Sequence, residues 1–364
     1  MSSKILKEAE RVMTICNACR YCEGFCAVFP AMELRRTFTE KELKYMANLC
    51  HNCRGCYYAC QYAPPHEFSL NVPKTLGLLR LETYKEAAWP EKASCFFKKN
   101  GWAVFAVTLI CLALLVSIPL NFLGAEVFFS SHKGDFYKII PYGLMVFPMV
   151  FVSMAVLMSL FKGVCSFITL TDADMSDLKD PKMHMKAVRD VLILKYLDGG
   201  GHGCNYPDDR FSMIRRWFHH SVFYGFFLCF LSTTIAAVYD HVLHLSAPYP
   251  FFSWPVITGA LGGISLSIGT AGLLYLKTRM DREPATPEAF GMDIGFSSVL
   301  FFTAASGLLL LVLRATPLMG LLLTAHLGFV LSLFILMPYG KFVHAVYRYL
   351  ALVRHEAEQN KNRL

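Results

Sequence analysis

Long apolar runs dominate the chain from residue 101 onward, whereas the first hundred residues mix apolar, charged and polar positions. An α-helix needs about 20 apolar residues to cross a hydrocarbon core of about 30 Å. Six runs reach that length, and each is predicted to form a membrane-spanning helix. They cover residues 101–123, 139–161, 221–243, 254–276, 294–313 and 318–339. We expect the last of them to continue as one helix toward Arg354.

This pattern divides the chain into a soluble part and a membrane part. No apolar segment of the signal-peptide type precedes Gly101, so residues 1–95 are predicted to form a cytoplasmic domain. Residues 96–354 are predicted to form a six-span membrane domain with a polar loop at 162–216, and residues 355–364 a short tail. The fourth run, TGALGGISLSIGTAG, is rich in small residues, which is typical of membrane helices that pack closely.

The lysine and arginine residues predict the orientation of the spans. Of the 35 Lys and Arg residues, 32 lie in the two terminal segments and in the loops at 162–216 and 277–293, and 3 lie in the opposite loops. Cytoplasmic segments carry the excess of positive charge, so both termini are predicted to be cytoplasmic. We expect a multi-pass protein of the bacterial inner (cytoplasmic) membrane. The excess of positive charge in the cytoplasmic segments explains the net charge of +8, so this charge does not indicate a nucleic acid partner.

One cysteine pattern occurs twice before the first span, as CNACRYCEGFC at residues 16–26 and as CHNCRGCYYAC at residues 50–60. In bacterial ferredoxins with this spacing, three cysteines of each run ligate one [4Fe–4S] cluster and the fourth ligates the other cluster. Cytoplasmic cysteines rarely form disulfides, which favours metal or cluster binding. The predicted ligands are Cys16, Cys19, Cys22 and Cys60 for cluster one, and Cys50, Cys53, Cys56 and Cys26 for cluster two. Two structural zinc ions are the alternative.

The segment between the two cysteine runs indicates which kind of ferredoxin this is. In FTEKELKYMANL, Thr39 and Glu42 have the spacing of a helix capping box, and apolar residues follow at helical intervals. A helical link favours an α-helical two-cluster ferredoxin over the small βαβ type.

Histidines lie at the ends of two predicted spans, and ionisable residues at membrane depth are usually functional. His326 and His344 are 18 residues apart, which is five turns and about 27 Å on one face of a continuous helix. The third span has histidines at both of its ends, at the cytoplasmic level of the membrane and at the outer level, and these can pair with His344 and His326. The predicted pairs are His219 or His220 with His344 at the cytoplasmic level, and His241 or His244 with His326 at the outer level.

Histidines that face each other across a helix bundle are suitable ligands for haem. The sequence has no C-x-x-C-H motif, which excludes covalent c-type attachment. We therefore predict one or two b-type haems. The first choice of ligands is His220, His344, His241 and His326, with His219 and His244 as alternates. The alternative is that some of these histidines lie beside lipid headgroups. The predicted fold class is mainly α: a two-cluster ferredoxin domain followed by a six-helix bundle of cytochrome b type.

The cytoplasmic loop contains GGGHGCNYPDDRF at residues 199–211. Its glycines lack the surrounding βαβ unit of a nucleotide-binding fold. The segment is either a flexible loop, or a relay or docking surface near the clusters that uses His202 and Cys204.

Taken together, these segments resemble the tricarballylate-utilisation protein B family, also called citrate-utilisation protein B. The resemblance covers nearly the whole chain and rests on the doubled cysteine run, the helical link, PPHEFSLNVPK, GGGHGCNYP, RRWFHHSVFYGF and MPYGKFVHAVYRYLAL. The membrane half is also similar to the γ subunit of respiratory nitrate reductase, in which two helices carry b-haem histidines. The matching positions there are His326, Pro338, Lys341, Val343 and His344.

The resemblance implies that the chain is the electron-transfer component of an oxidoreductase system, with no catalytic residues of its own. It would reoxidise the reduced flavin of an FAD-dependent dehydrogenase on the cytoplasmic side, with tricarballylate as the substrate of that dehydrogenase. The electrons would pass through two [4Fe–4S] clusters and b-type haem to membrane quinone. The alternative is a membrane transporter or sensor with a cysteine-rich metal-binding domain.

Overall fold

The structure, a computed structural model, describes residues 2–97 and 99–362, and the side chains of all of these except Ser2. It is mainly α-helical, as predicted. The helices in chain order are α1 (Ser2–Cys19), α2 (Val28–Glu33), α3 (Glu40–Leu49), α4 (Gly55–Tyr58), α5 (Val72–Ala87), α6 (Asn100–Leu123), α7 (Tyr142–Thr171), α8 (Pro181–Leu192), α9 (Ile214–His241), α10 (Trp254–Arg279), α11 (Phe290–Leu313), α12 (Met319–Leu336) and α13 (Val343–Lys361).

Short elements connect these helices. Strands β1 (Cys204–Asn205) and β2 (Phe211–Ser212) pair antiparallel, with Cys204 opposite Ser212. Short 3-10 helices occupy Glu91–Phe97, Ala125–Phe128, Phe136–Lys138, Asp177–Lys179, Lys195–Leu197, Pro287–Ala289 and Met337–Tyr339.

Helices α1 to α5 form the N-terminal domain around one hydrophobic core. The predicted capping box starts α3: the Glu42 backbone N–H donates to the Thr39 hydroxyl (3.3 Å), and the Thr39 N–H donates to the Glu42 carboxylate (2.9 Å). This reciprocal bonding satisfies two N–H groups that would otherwise lack a partner at the helix start. The link between the cysteine runs is therefore helical, as predicted.

Within the described residues, six helices are long and apolar enough to cross a membrane, and they lie where the sequence predicts spans. They are α6, α7, α9, α10, α11 and α12. Helix α7 continues ten residues beyond the predicted end at 161, and α9 begins seven residues before the predicted start at 221. Apolarity marks only the part of a helix that lies in hydrocarbon, so both helices extend past it on the side that holds the 162–216 loop.

The small residues of α10 let it approach α9 closely. A Cβ atom on Gly262 would stand 2.8 Å from the Cys229 backbone nitrogen, and one on Gly269 would stand 2.7 Å from the Phe218 carbonyl oxygen. Both distances are too short for any larger side chain. Close backbone approach of this kind gives membrane helices their packing contacts.

The expectation that the sixth span continues as one helix toward Arg354 is wrong. Helix α12 ends at Leu336, a 3-10 turn follows, and α13 begins only at Val343. Pro338 has no backbone N–H to give to a continuing helix, and Gly340 is extended (φ −139°, ψ −160°). His326 and His344 therefore lie on different helices, and the argument from five whole turns fails.

Helix α13 leaves the membrane domain and packs against the N-terminal domain. Glu358 accepts hydrogen bonds from Arg35 of that domain (2.5 Å) and from Arg354 (2.9 Å) on its own helix. The Tyr45 hydroxyl donates to the other Glu358 oxygen at 3.2 Å. The two domains are thus joined by a polar contact that is largely shielded from solvent.

Candidate functional site

The first cysteine run lies where α1 ends. Cys16 and Cys19 occupy the last turn of α1, and Arg20, with a left-handed φ of 56°, turns the chain so that Cys22 comes back beside them. Cys60 reaches the same place from the second run. These four residues, named here the first cysteine site, line a cavity that is partly open to solvent.

The second cysteine run surrounds a neighbouring and more deeply buried cavity. Cys50 caps the C-terminal end of α3, and Cys56 lies on the short helix α4. Between them, Asn52 and Arg54 take left-handed φ values of 54° and 69°, which curl the 50–53 loop around the cavity. Its cysteine lining, named here the second cysteine site, consists of Cys26, Cys50, Cys53 and Cys56.

The cavity linings divide the eight cysteines in the crossed arrangement that the ferredoxin spacing requires. Cys60 of the second run joins the first site, and Cys26 of the first run joins the second site. Cys56 lines both cavities, so the two sites are adjacent. In residues 2–97 and 99–362, no three His, Cys, Asp or Glu side chains meet closely enough to hold a single metal ion. Ligation by these cysteines stays a prediction.

Five of the eight cysteine thiols at the two sites have pKa values raised by burial. Burial, with the neighbouring Cys60 thiol next in effect, raises the pKa of Cys16 and of Cys22 to about 12. Burial also raises the pKa of Cys53 to about 12, and it raises the pKa values of Cys26 and Cys56 well above the usual range. Buried thiolates at this spacing need positive charge from a metal to be stable. The donor set therefore fits iron–sulfur clusters.

One predicted histidine pair meets at the end of the bundle where α9 begins. The ring centroids of His219, on α9, and His344, on α13, are 6.2 Å apart with the rings nearly perpendicular (83°). His344 donates its Nδ1–H to the Lys341 carbonyl, which orients the ring and leaves Nε2 for a metal. Among the described residues, His219 Nδ1 is buried with no hydrogen-bond partner. These two residues, named here the inner histidine pair, would hold the predicted haem.

The adjacent His220 points elsewhere. Its ring lies near Trp217 and Tyr224 of its own helix, with centroids at 6.4 and 5.8 Å. The structure thus places the alternate ligand His219, rather than His220, opposite His344.

The outer histidines are not brought together. His326 turns toward α11, where its Nδ1 lies 3.1 Å from both the Ser306 hydroxyl and the Thr303 carbonyl. His241 Nε2 lies 3.1 Å from the Tyr142 hydroxyl on α7. His244 is exposed beyond the end of α9. A second haem between these residues stays a prediction.

The glycine-rich loop at 199–211 packs against both cysteine runs. The Asn205 N–H donates to the Cys53 carbonyl (3.0 Å), and the Gly200 backbone lies against Gly24 and Phe25. Cys204 is fully buried beside Cys53, whereas His202 is exposed. The loop is therefore ordered by contact with the N-terminal domain, and of its two predicted relay residues only Cys204 reaches the second cysteine site.

The sequence analysis missed the arginines between the second cysteine site and the inner histidine pair. Arg348 donates to the Cys50 carbonyl (2.8 Å), and Arg215 donates to the carbonyls of Asn52 and His51. Each lies four residues from one histidine of the pair, and therefore one helical turn away on the same face. The spacing R-x3-H at 215–219 and H-x3-R at 344–348 was the available signal.

The fold and the site together define a multi-pass membrane protein with an N-terminal ferredoxin-like domain. Two family models match the chain: the citrate utilization protein B Fer4-like domain at residues 9–86, and citrate utilization protein B at residues 100–364. A citrate utilization protein B of Escherichia coli is 44% identical over 358 residues, which is 98% of this chain and 93% of that protein. The chain belongs to the citrate utilization protein B family. No solved structure matches it significantly.

Proposed function

We propose that the protein carries electrons from a reduced flavoprotein in the cytoplasm to quinone in the membrane. The route uses two [4Fe–4S] clusters at the cysteine sites and a b-type haem at the inner histidine pair. The observation that carries this proposal is the continuity of the three sites. Cys56 lines both cysteine cavities, and Arg215 and Arg348 connect the second site to the helices that bear His219 and His344.

The first cysteine site is the place where electrons are received. Its four cysteines are all partly exposed, whereas three of the four at the second site are buried. Tyr21 (69% exposed) and Phe68 (42% exposed) present aromatic surface near it. Exposed aromatic side chains are common anchors in protein–protein contacts. A flavoprotein that docks there brings its flavin close to the first cluster.

The inner histidine pair is the place where electrons reach the membrane. It lies at the start of span α9, and a haem bound there supplies a one-electron carrier at the edge of the bundle. Two successive one-electron transfers oxidise one reduced flavin and reduce one quinone, which takes up two protons to become quinol. The chain provides positions for these carriers, and the substrate chemistry belongs to the flavoprotein.

The physiological role that we propose is the utilisation of citrate-like tricarboxylic acids. The relative from Escherichia coli carries citrate utilization in its name. The substrate of the partner dehydrogenase is proposed to be tricarballylate, which loses two electrons and two protons to the flavin as it becomes cis-aconitate.

The test is an optical spectrum of the detergent-purified protein, oxidised and then dithionite-reduced, with iron, sulfide and haem measured on the same sample. We expect a reducible b-type band and about eight non-haem irons per chain, as two [4Fe–4S] clusters require. The purified protein should also speed the reoxidation of a reduced flavoprotein by a soluble quinone. Zinc in place of iron, or a folded sample without a haem band, would contradict the proposal.

A further inference from the structure

Three arginines from three helices converge on the 50–53 loop. Arg80 on α5 and Arg348 on α13 both donate to the Cys50 carbonyl, and Arg215 on α9 donates to the Asn52 carbonyl. These three residues, named here the arginine group, thus hold the backbone of the second cysteine site from the N-terminal domain, a membrane span and the C-terminal helix. All three are at least partly buried.

The positive charge of this group is not balanced by neighbouring acids. Within residues 2–97 and 99–362, none of the three arginines forms an ion pair with a carboxylate. Asp293, whose side chain is largely shielded from solvent, is already paired with Lys277 and Lys341 at 2.5 Å each. Three cations held together in the interior need an anion to compensate them.

In the part of the chain that the structure describes, the first cysteine site has no comparable group of buried arginines. Arg20, next to Cys19, is exposed and donates to the Asn17 carbonyl at 3.1 Å. Arg11 donates to the Phe68 carbonyl at 3.1 Å, but it is exposed and paired with Glu8 at 2.7 Å. Exposed charges act through water and are screened by salt, whereas buried charges act through a medium of low dielectric constant.

We infer that the arginine group raises the reduction potential of a cluster at the second cysteine site above that of a cluster at the first site. This inference rests on the proposed function. Each transfer oxidises one cluster by one electron and reduces the next by one electron, and reduction adds a negative charge to a centre that its thiolates already make anionic. Buried cations stabilise that added charge, and cluster potentials respond to net charge and solvent exposure. Electrons therefore flow from the open first site toward the membrane.

The same residues position the second site against the inner histidine pair. Arg215 and Arg348 each lie one turn from a histidine of that pair and bind the loop that holds Cys50 and Cys53. The arginine group therefore both sets the potential of the second site and fixes its position relative to the next carrier.

The test is a potentiometric titration of the full-length loaded protein, followed by the electron paramagnetic resonance signals of the two reduced clusters. The Cys60→Ser variant, which removes a ligand of the first site alone, assigns each signal to its site. In the unmodified protein we expect the second-site signal to appear at the higher potential. This measurement uses no arginine variant, so it tests the inference even where such a variant fails to bind its clusters. Equal potentials or the reverse order would overturn the inference.

Arginine variants test whether the charge of the arginine group raises the second-site potential. Arg348→Gln and Arg80→Gln should each shift the second-site potential downward and leave the first-site potential unchanged. Arg348→Lys, which keeps the charge, should leave the second-site potential close to that of the unmodified protein. Arg11→Gln is the matched control, because Arg11 also bonds a backbone carbonyl but is exposed. Equal shifts in Arg348→Lys and Arg348→Gln, or a shift of both sites together, would overturn the role of the charge. Absence of both cluster signals in the unmodified protein would instead refute the proposed function.

Discussion

The cysteine residues depend on a few unusual backbone positions to reach their sites. Arg20, Asn52 and Arg54 all have positive φ values, and none of them is glycine. Left-handed conformations cost a non-glycine residue roughly 1 kcal/mol each. They persist because the surrounding contacts hold them, as the Arg54 guanidinium does by stacking 4.5 Å from the Tyr206 ring. Metal ligation would add further stabilisation to the same turns.

The crossed arrangement makes a prediction for two single cysteines. Cys60→Ser should remove the cluster at the first site, and Cys26→Ser the cluster at the second, because each cubane needs its fourth thiolate from the other run. Non-haem iron should fall from about eight to about four per chain in either variant. Cys95→Ser is the control, since Cys95 is exposed and lies outside both sites. Loss of the same cluster signal in both cysteine-site variants would contradict the crossed assignment.

The two adjacent histidines of α9 provide a matched pair for the haem prediction. His219→Ala and His344→Ala should each abolish the reducible b-type band, because each removes one side of the inner histidine pair. His220→Ala should keep the band, because the His220 ring lies against Trp217 and Tyr224 instead. The measurement is haem per chain in membranes with equal protein content, which shows whether His219 or His220 is the ligand. Loss of haem in His220→Ala with retention in His219→Ala would reverse the assignment.

At the scale of elements, α13 connects the parts of the molecule. Its first turn carries His344, its second carries Arg348, and its far end carries Arg354 and Glu358 against the N-terminal domain. Because Pro338 and Gly340 interrupt the chain before it, α13 can take a direction of its own. That freedom lets one helix contact the inner histidine pair and the second cysteine site together.

The Glu358 contact predicts a pH dependence of stability. Burial alone would raise the pKa of Glu358, but the hydrogen bond and charge of Arg35, together with Arg354, lower it below its usual range. A lowered pKa means that this stabilisation is fully present above the unfolded-state value of about 4.3 and is lost as the pH falls through the folded-state value. At neutral pH, Glu358→Gln should cost about 3 kcal/mol, because it leaves the partly buried Arg35 and Arg354 without their carboxylate.

The measurement is the apparent midpoint of thermal unfolding in detergent between pH 7 and pH 2, a range that extends below the lowered pKa of Glu358. The difference between the unmodified protein and Glu358→Gln should shrink as the pH falls, and Glu67→Gln, an exposed acid, should behave like the unmodified protein. A difference that stayed constant down to pH 2 would mean that the ionised carboxylate is not the source of the stabilisation.

At the scale of the whole molecule, the candidate sites form a line from the N-terminal surface to the membrane bundle. The first cysteine site is open to solvent, the second is enclosed by the 199–211 loop and the arginine group, and the inner histidine pair follows at the end of the spans. This order of sites is the one that the proposed electron transfer between a soluble and a membrane partner would use.

The predicted orientation can be tested on the whole chain. Alkaline phosphatase inserted after Lys133, in the exposed loop between α6 and α7, should be active because that loop is predicted to be periplasmic. The same enzyme fused at the C-terminus should be inactive, whereas a green fluorescent protein at that end should fluoresce. The opposite result at both positions would invert the topology and place the cysteine sites outside the cytoplasm.

The sequence by itself determined the features that depend on local periodicity and spacing. Six apolar runs of sufficient length identified the spans, and Thr39 with Glu42 identified the start of α3. The repeated cysteine spacing predicted two groups of four, because ligands on one tight loop must face one centre. Each of these features depends on residues that lie within about twenty positions of one another along the chain, so the sequence alone is enough to predict it.

Only the tertiary structure decided which distant residues meet. The choice of His219 over His220 depends on how α9 is rotated toward α13, and two adjacent residues on a helix face directions about 100° apart. The break at Pro338 and Gly340 removed the shared face that His326 and His344 would have had on one helix. Arg80, Arg215 and Arg348 come from three helices, so their convergence on the 50–53 loop exists only after those helices have packed.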